Sequence, residues 1–172
     1  MYKNDLLCKK NVAQVFILVW NLSLRDGCTY NFKKIVCLKK FLKTCWLKSL
    51  KRKIFIKYGL EIDSPNIGEN FIMGHARNIT INGNAVIGIN CVIFKNATLG
   101  SIRSGLKKGA PTLGDNVVVC CNAFVCGGIR IGDDVLIAAN SFVNFDVPSH
   151  SVVVGNPGVI HHKIGATQDY MK

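Results

Sequence analysis

Aliphatic residues recur at every sixth position through the C-terminal two-thirds of this chain, and no other feature limits its fold as sharply. Leu113, Val119, Val125, Ile131, Ile137 and Val143 keep the interval without a slip. Ile81, Ile87, Ile93 and Leu99 keep it upstream, after an earlier pair at Ile67 and Met73. Small residues follow many of them (Gly68, Gly74, Gly88, Gly100, Gly114, Gly132, Ala138). A second small or β-branched set stands four positions on: Ala85, Cys91, Ala97, Val117, Ala123, Ile129, Val135 and Ser141. A helix does not produce this beat, because a period of six is out of phase with about 3.6 residues per turn. A continuous strand does not survive Gly-Asp-Asn or Gly-Asp-Asp. Short strands with a bend every six residues satisfy both limits. Three such sides close a triangular coil of about 18 residues, and coils stack into a solenoid. The expected class is therefore all-β, a parallel β-helix of hexapeptide repeats.

The phase breaks twice. Two extra residues lie between Met73 and Ile81, within GHARNITI, and eight lie between Leu99 and Leu113, within the Gly-rich basic stretch GSIRSGLKKGAPT. The second break reads as a loop thrown out from one corner, a place where repeat proteins carry function.

Charge divides the chain. Residues 1–60 hold 14 Lys or Arg against Asp5 and Asp26, and residues 61–172 hold eight of each sign, so the formal net charge of +12 belongs to the N-terminal third. Residues 29–58 contain ten Lys or Arg and no acid, with Ile35, Leu38, Leu42, Cys45 and Trp46 near helical spacing. The expected organisation is a basic helical leader over 1–58, a β-helix over 59–160 and a tail over 161–172 that leaves the prism and folds back or frays. The leader caps the first coil or lies on an anionic membrane surface. Nucleic acid is excluded as a partner, since no aromatic platform or binding motif accompanies the charge. The apolar run Val12–Leu24 is too short to span a bilayer and lacks a clean cleavage site. The eight cysteines show no CxxC pairing, so neither a zinc site nor a disulfide framework is expected, and no metal. They read as free thiols of a reducing cytoplasm.

Five stretches, GLEI, NIGENFIMGHARNITIN, GAPTLGDNV, IGDDVLIAANSFV and VPSHSVVVGNPG, together resemble the hexapeptide-repeat acyltransferases over about residues 59–163. The resemblance is to the serine acetyltransferase-like group, and closer still to a shorter branch associated with bacterial surface polysaccharide. It implies a left-handed prism, a homotrimer with active sites between neighbouring prisms, and acetyl-CoA as co-substrate. It also implies a cytoplasmic enzyme, with peripheral contact at the inner membrane as an option.

His75 stands at the first phase break, after a Gly and off the inward positions. It matches the family's catalytic histidine, eight residues after Ile67–Gly68. Histidine suits a general base because it titrates near neutral pH. The family's orienting acid maps to Glu61, with Asp63 as second choice. The cofactor groove maps to Asn122, Ala123, Ala138, Ala139, Asn140 and Ser141, with Lys163 for the CoA phosphates. Lys107 and Lys108 serve there or, with Arg103, at the acceptor. His150, His161 and His162 are read as solvated, without an acid at a suggestive position. The family's second histidine and its preceding Arg, which contact serine, are replaced by Ala110 and Gly109 ahead of Pro111. Together with the shortened leader, this turns the expectation toward a sugar hydroxyl of a surface polysaccharide. Serine O-acetylation for cysteine synthesis is the alternative, and a silent β-helix scaffold a third. With no cysteine beside His75 in sequence, direct transfer in a ternary complex is expected rather than an acyl-enzyme.

Overall fold

The structure is a computed structural model and describes residues 55–64 and 66–171. The basic amphipathic segment, the Val12–Leu24 run and nearly all of the 1–58 leader lie outside these residues. Residues 55–58 form a helical turn, closed where the Gly59 amide donates to the Phe55 carbonyl (2.7 Å) with Gly59 at φ 67°. That left-handed conformation is where a glycine ends a helix at least cost. Among the described residues no helix is long and apolar enough to cross a membrane.

From Glu61 the chain winds through five coils of short strands. The first carries β1 (Glu61–Ile62), β2 (Asn66–Ile67) and β3 (Ile72–Gly74). The second carries β4 (Thr80–Ile81), β5 (Val86–Ile87) and β6 (Val92–Phe94). The third carries β7 (Thr98–Gly100), β8 (Thr112–Leu113) and β9 (Val117–Val119), and the fourth β10 (Phe124–Cys126), β11 (Arg130–Ile131) and β12 (Val135–Ile137). The fifth carries β13 (Phe142–Val143), a bridge at Val147 and β14 (Ser151–Val154). Each strand pairs in parallel with its counterpart one coil on, which builds three flat faces. Face A is β1-β4-β7-β10-β13, face B is β2-β5-β8-β11, and face C runs from β3 through β6, β9 and β12 to β14. The prism is a left-handed parallel β-helix.

Register explains the beat. Ile81 lies beside Leu99, Leu113 beside Ile131 and Val119 beside Ile137, each eighteen residues apart. Every aliphatic of the repeat from Met73 to Val143 is buried, as is the second set from Ala85 to Ser141. Stacking places each side chain on its own kind, so the core is a column with no loose end except at the two caps. The small residue after the aliphatic is required most strictly where face B turns into face C. There Gly68, Gly88 and Gly114 stack so closely that an added Cβ would collide with the next rung's backbone or its carboxylate. The last coil is two residues short, since Val147 pairs with Ile131 and Val153 with Ile137, sixteen apart. Spacing alone does not reach Val147 and Val153, yet both are core.

Asparagine makes the corners. Asn70, Asn90 and Asn116, followed by Asp134 and His150, hold φ between 53° and 58° at the B-to-C corner; Asn78, Asn96, Asn122 and Asn140 hold 51° to 61° at the C-to-A corner. Asn and Asp tolerate this left-handed region better than other side chains. Their amides also chain together: Asn70 to Asn90 at 2.9 Å, Asn90 to Asn116 at 3.2 Å, Asn78 to Asn96 at 3.1 Å and Asn122 to Asn140 at 3.2 Å. Carboxylates add a second rail, with Asp115 accepting from the Ile89 amide (2.7 Å) and Asp133 from the Asp115 amide (2.8 Å).

The tail folds back and is clasped. β15 (Val159–His162) returns antiparallel along β14, and Asp134 then takes the Gly165 amide at 2.8 Å, the Thr167 amide at 3.1 Å and the Thr167 hydroxyl at 2.9 Å. Beyond it Tyr170 meets Phe94 edge-on and Met171 packs on the outward apolar cluster of face C, with Val92, Val118 and Cys120. Burial by itself raises the Asp134 pKa. Hydrogen bonds from His150, from the Thr167 amide and hydroxyl and from the Gly165 amide outweigh it, and the carboxyl falls from 3.8 to about 2.

Two measurements check this account. Ile131→Ala, in the middle of the column, should cost about 2–5 kcal/mol in denaturant unfolding, against less than about 0.5 kcal/mol for an exposed site such as Thr112→Ala. Because the folded Asp134 pKa lies below its ordinary value, the clasp's stability is fully present above 3.8 and is lost as the pH falls through about 2. Asp134→Asn should therefore lower the urea midpoint at neutral pH and shrink the loss seen on acidification.

Candidate functional site

His75 ends up on the C-to-A edge of the prism, directly after β3. The six-residue spacing cannot hold there: Gly74, His75, Ala76, Arg77 and Asn78 fill a corner that later coils turn in fewer residues, and both His75 and Asn78 adopt φ 51°. A histidine in the left-handed region, exposed and pointing off the prism, is held by its backbone rather than by packing. Glu61 opens β1 on the adjoining face, in register with Thr80, five residues beyond His75. The structure thus brings both residues to one edge of the first two coils. Among the described residues no hydrogen bond or ion pair joins them. Asp63 lies at the far end of β1, nearer the A-to-B corner.

The groove residues follow the same edge upward. Asn122 and Ala123 turn the third coil, and Ala138, Ala139, Asn140 and Ser141 turn the fourth. Their side chains are largely committed to the fold. Ala123 is fully buried, Ser141 donates to the Val153 carbonyl (3.4 Å) and accepts from the Gly155 amide (3.1 Å), and Asn122 donates to Asn140. Only Ala139, the outer side of the two asparagines and the backbone face outward. A ligand along this edge meets chiefly main-chain groups.

Two expected contributors stand elsewhere. The loop carrying Arg103, Lys107 and Lys108 leaves the A-to-B corner between β7 and β8, closed by reciprocal Ile102 and Gly109 bonds of 2.9 Å and seated on Gly128, whose amide donates to the Lys107 carbonyl (2.9 Å). Lys163 follows β15 at the B-to-C edge, its amide on the His150 carbonyl (2.8 Å). Within one protomer neither reaches the corner of His75. Three cations therefore sit at one edge, and the histidine at another.

His150 corrects the sequence reading, for it does have an acid: its Nδ1 lies 2.9 Å from Asp134 Oδ2. The sixteen-residue interval is one short coil, so the pairing appears only once the rungs are stacked. His161 and His162 lie exposed on β15. The described thiols are free. Burial raises Cys91 to about 11 and also raises Cys120 and Cys126, which makes all three poor nucleophiles. Among the described residues no group of three His, Cys, Asp or Glu is placed to hold a metal ion. A shallow depression beside Arg130, Asp146 and Ser149 lies on face B, away from His75.

No family model matches the chain. It is 38% identical over 112 residues to the serine acetyltransferase of Synechococcus elongatus, covering 64% of this chain and 46% of that protein. The Neisseria gonorrhoeae serine acetyltransferase solved in complex with serine superposes at a TM-score of 0.64 with 30% identity, over 75% of this chain and 53% of that one. The prism shares the left-handed β-helix fold of these serine acetyltransferase structures. A serine acetyltransferase complex with CoA, 23% identical, shares it at a TM-score of 0.59, over 86% of this chain and 53% of that one. The chain spans about half the length of the curated relatives it matches.

These likenesses overturn the polysaccharide reading. Serine acetyltransferases of Synechococcus elongatus and Staphylococcus aureus are each 38% identical to this chain over the 112 and 117 residues matched. The substitutions that had argued against serine, Gly109 and Ala110, are two positions at the foot of one corner loop. Two missing side chains weigh less than identity spread over the coils. The membrane expectation drew its purpose from the discarded acceptor, and the residues that carried it lie outside the described ones.

Proposed function

We propose that this chain is an O-acetyltransferase that moves acetyl from acetyl-CoA to the hydroxyl of serine or a close small amino acid. The observation that carries the reading is the coincidence of 38% identity to serine acetyltransferases with a histidine projected from a distorted corner of the prism. His75 takes the proton of the acceptor hydroxyl as its oxygen attacks the thioester carbonyl. Main-chain amides of the C-to-A edge stabilise the tetrahedral oxyanion. Collapse expels the CoA sulfur, which recovers the proton from the imidazolium and leaves as the thiol. Glu61 orients the imidazole and favours its charged form. The raised thiols of Cys91, Cys120 and Cys126 support direct transfer without an acyl-cysteine.

Acetyl-CoA lies along the edge formed by Asn122, Ala123, Ala138, Ala139, Asn140 and Ser141. This reading calls for a homotrimer, in which a neighbouring prism would bring Arg103, Lys107 and Lys108, or Lys163, to an edge their own protomer keeps them from. These cations then meet the CoA phosphates or close the pocket from the far side.

Thiol release from acetyl-CoA in the presence of serine is the direct test. His75→Ala should lower kcat by about a hundredfold to ten-thousandfold with acetyl-CoA binding retained, and Glu61→Gln by a smaller factor. Full activity in His75→Ala would falsify the assigned base. A folded trimer that binds no acetyl-CoA would instead mark the prism as a scaffold.

A further inference from the structure

An amino-acid acceptor brings a carboxylate to within a few bonds of its reacting hydroxyl, so a cation is needed near the base. The loop cations leave from a different corner, but the edge of His75 has its own. Arg77 stands two residues after His75 in the same distorted turn. Lys95 occupies the equivalent place one rung up: the Asn96 amide donates to the Arg77 carbonyl (3.0 Å), and the neighbouring Asn78 and Asn96 side chains are bonded at 3.1 Å. Both side chains are exposed, and neither is ion-paired to any described residue. Arg77 is held from below by Tyr58, with its guanidinium 6.0 Å from the ring centroid, and Lys57 lies 5.0 Å from the same ring. Three cations thus gather at the His75 end of the edge. Higher up, the positions equivalent to Arg77 and Lys95 are Cys121 and Ala139, and the charge stops.

Building on the proposed serine-type reaction, we propose that Arg77 and Lys95 form the specificity-determining subsite for the acceptor's carboxylate. Arg77 supplies a planar fork that lies over the Tyr58 ring, and Lys95 a point charge one rung above it. The confinement of charge to the two lowest rungs favours the acceptor over the CoA phosphates. The whole pantetheine arm separates those phosphates from the thioester, and hence from His75. Two neighbouring surface cations also repel each other, a cost that a bound carboxylate relieves.

The test uses the full chain with L-serine and L-serinamide, which keeps the hydroxyl and ammonium but not the carboxylate. Wild-type protein should favour serine. Arg77→Ala with Lys95→Ala should raise the serine KM by about tenfold or more, leaving serinamide and acetyl-CoA constants in place. Arg77→Lys should recover part of the loss, and added salt should weaken serine in the wild type more than in the double variant. Equal effects on serine and serinamide, or none, would overturn the subsite while leaving the proposed reaction intact. A rise confined to the acetyl-CoA KM would overturn it too, by assigning the cations to the phosphates. If the wild type releases no thiol with serine, the proposed reaction fails and this subsite fails with it. Matching thermal unfolding of variant and wild type shows that the readings come from folded protein.

Discussion

Everything in this molecule depends on one coil lying directly on the next. Parallel backbone pairing fixes the rise from rung to rung, and the inward columns of Ile, Leu and Val fill what the three faces enclose. Neither works alone. A single coil of two- and three-residue strands has almost no pairing of its own and no interior. The corners then become critical, because a bend that failed to repeat would tilt the next rung out of register. The left-handed asparagines solve that problem at two of the three corners, where side-chain amides tie Asn70 to Asn90, Asn90 to Asn116, Asn78 to Asn96 and Asn122 to Asn140.

Such regularity makes every irregularity informative. The solenoid departs from its beat at the His75 corner, at the loop leaving β7 and in the short last coil. The first places an exposed imidazole and the Arg77 guanidinium on one edge. The second projects three more cations from another. The third lets Asp134 and His150 meet and so creates the clasp that ties down the tail. Where the repeat is intact, the inward side chains serve the stack. Where it is interrupted, side chains are available to something outside it.

The prism was legible because its signal is one-dimensional: Ile81 to Leu99 in the sequence is Ile81 on Leu99 in space. The loop at 101–110 was legible for the same reason, as an excess over the beat. His75 and Glu61 were mapped through a family likeness, and the fold puts both on one edge. Spacing did not foretell the partner of His150, the Asn ladders or the Arg77–Lys95 pair, because each depends on which corner a residue turns and the period is the same at all three. The acceptor misled for a different reason. Gly109 and Ala110 lack the expected side chains, but a sequence does not show which other cations the coils bring to the edge of His75.

The reversed direction of β15 carries a consequence for how long such a prism can be. A bare final rung would present the same parallel template that each interior coil offers its successor, an invitation to indefinite stacking between molecules. By turning back along β14 and handing its end to Asp134, the chain covers face C of that rung with a strand of opposite polarity and shields the outward apolar face with Tyr170 and Met171. On face C the stack therefore closes in a strand that offers no parallel continuation to another rung.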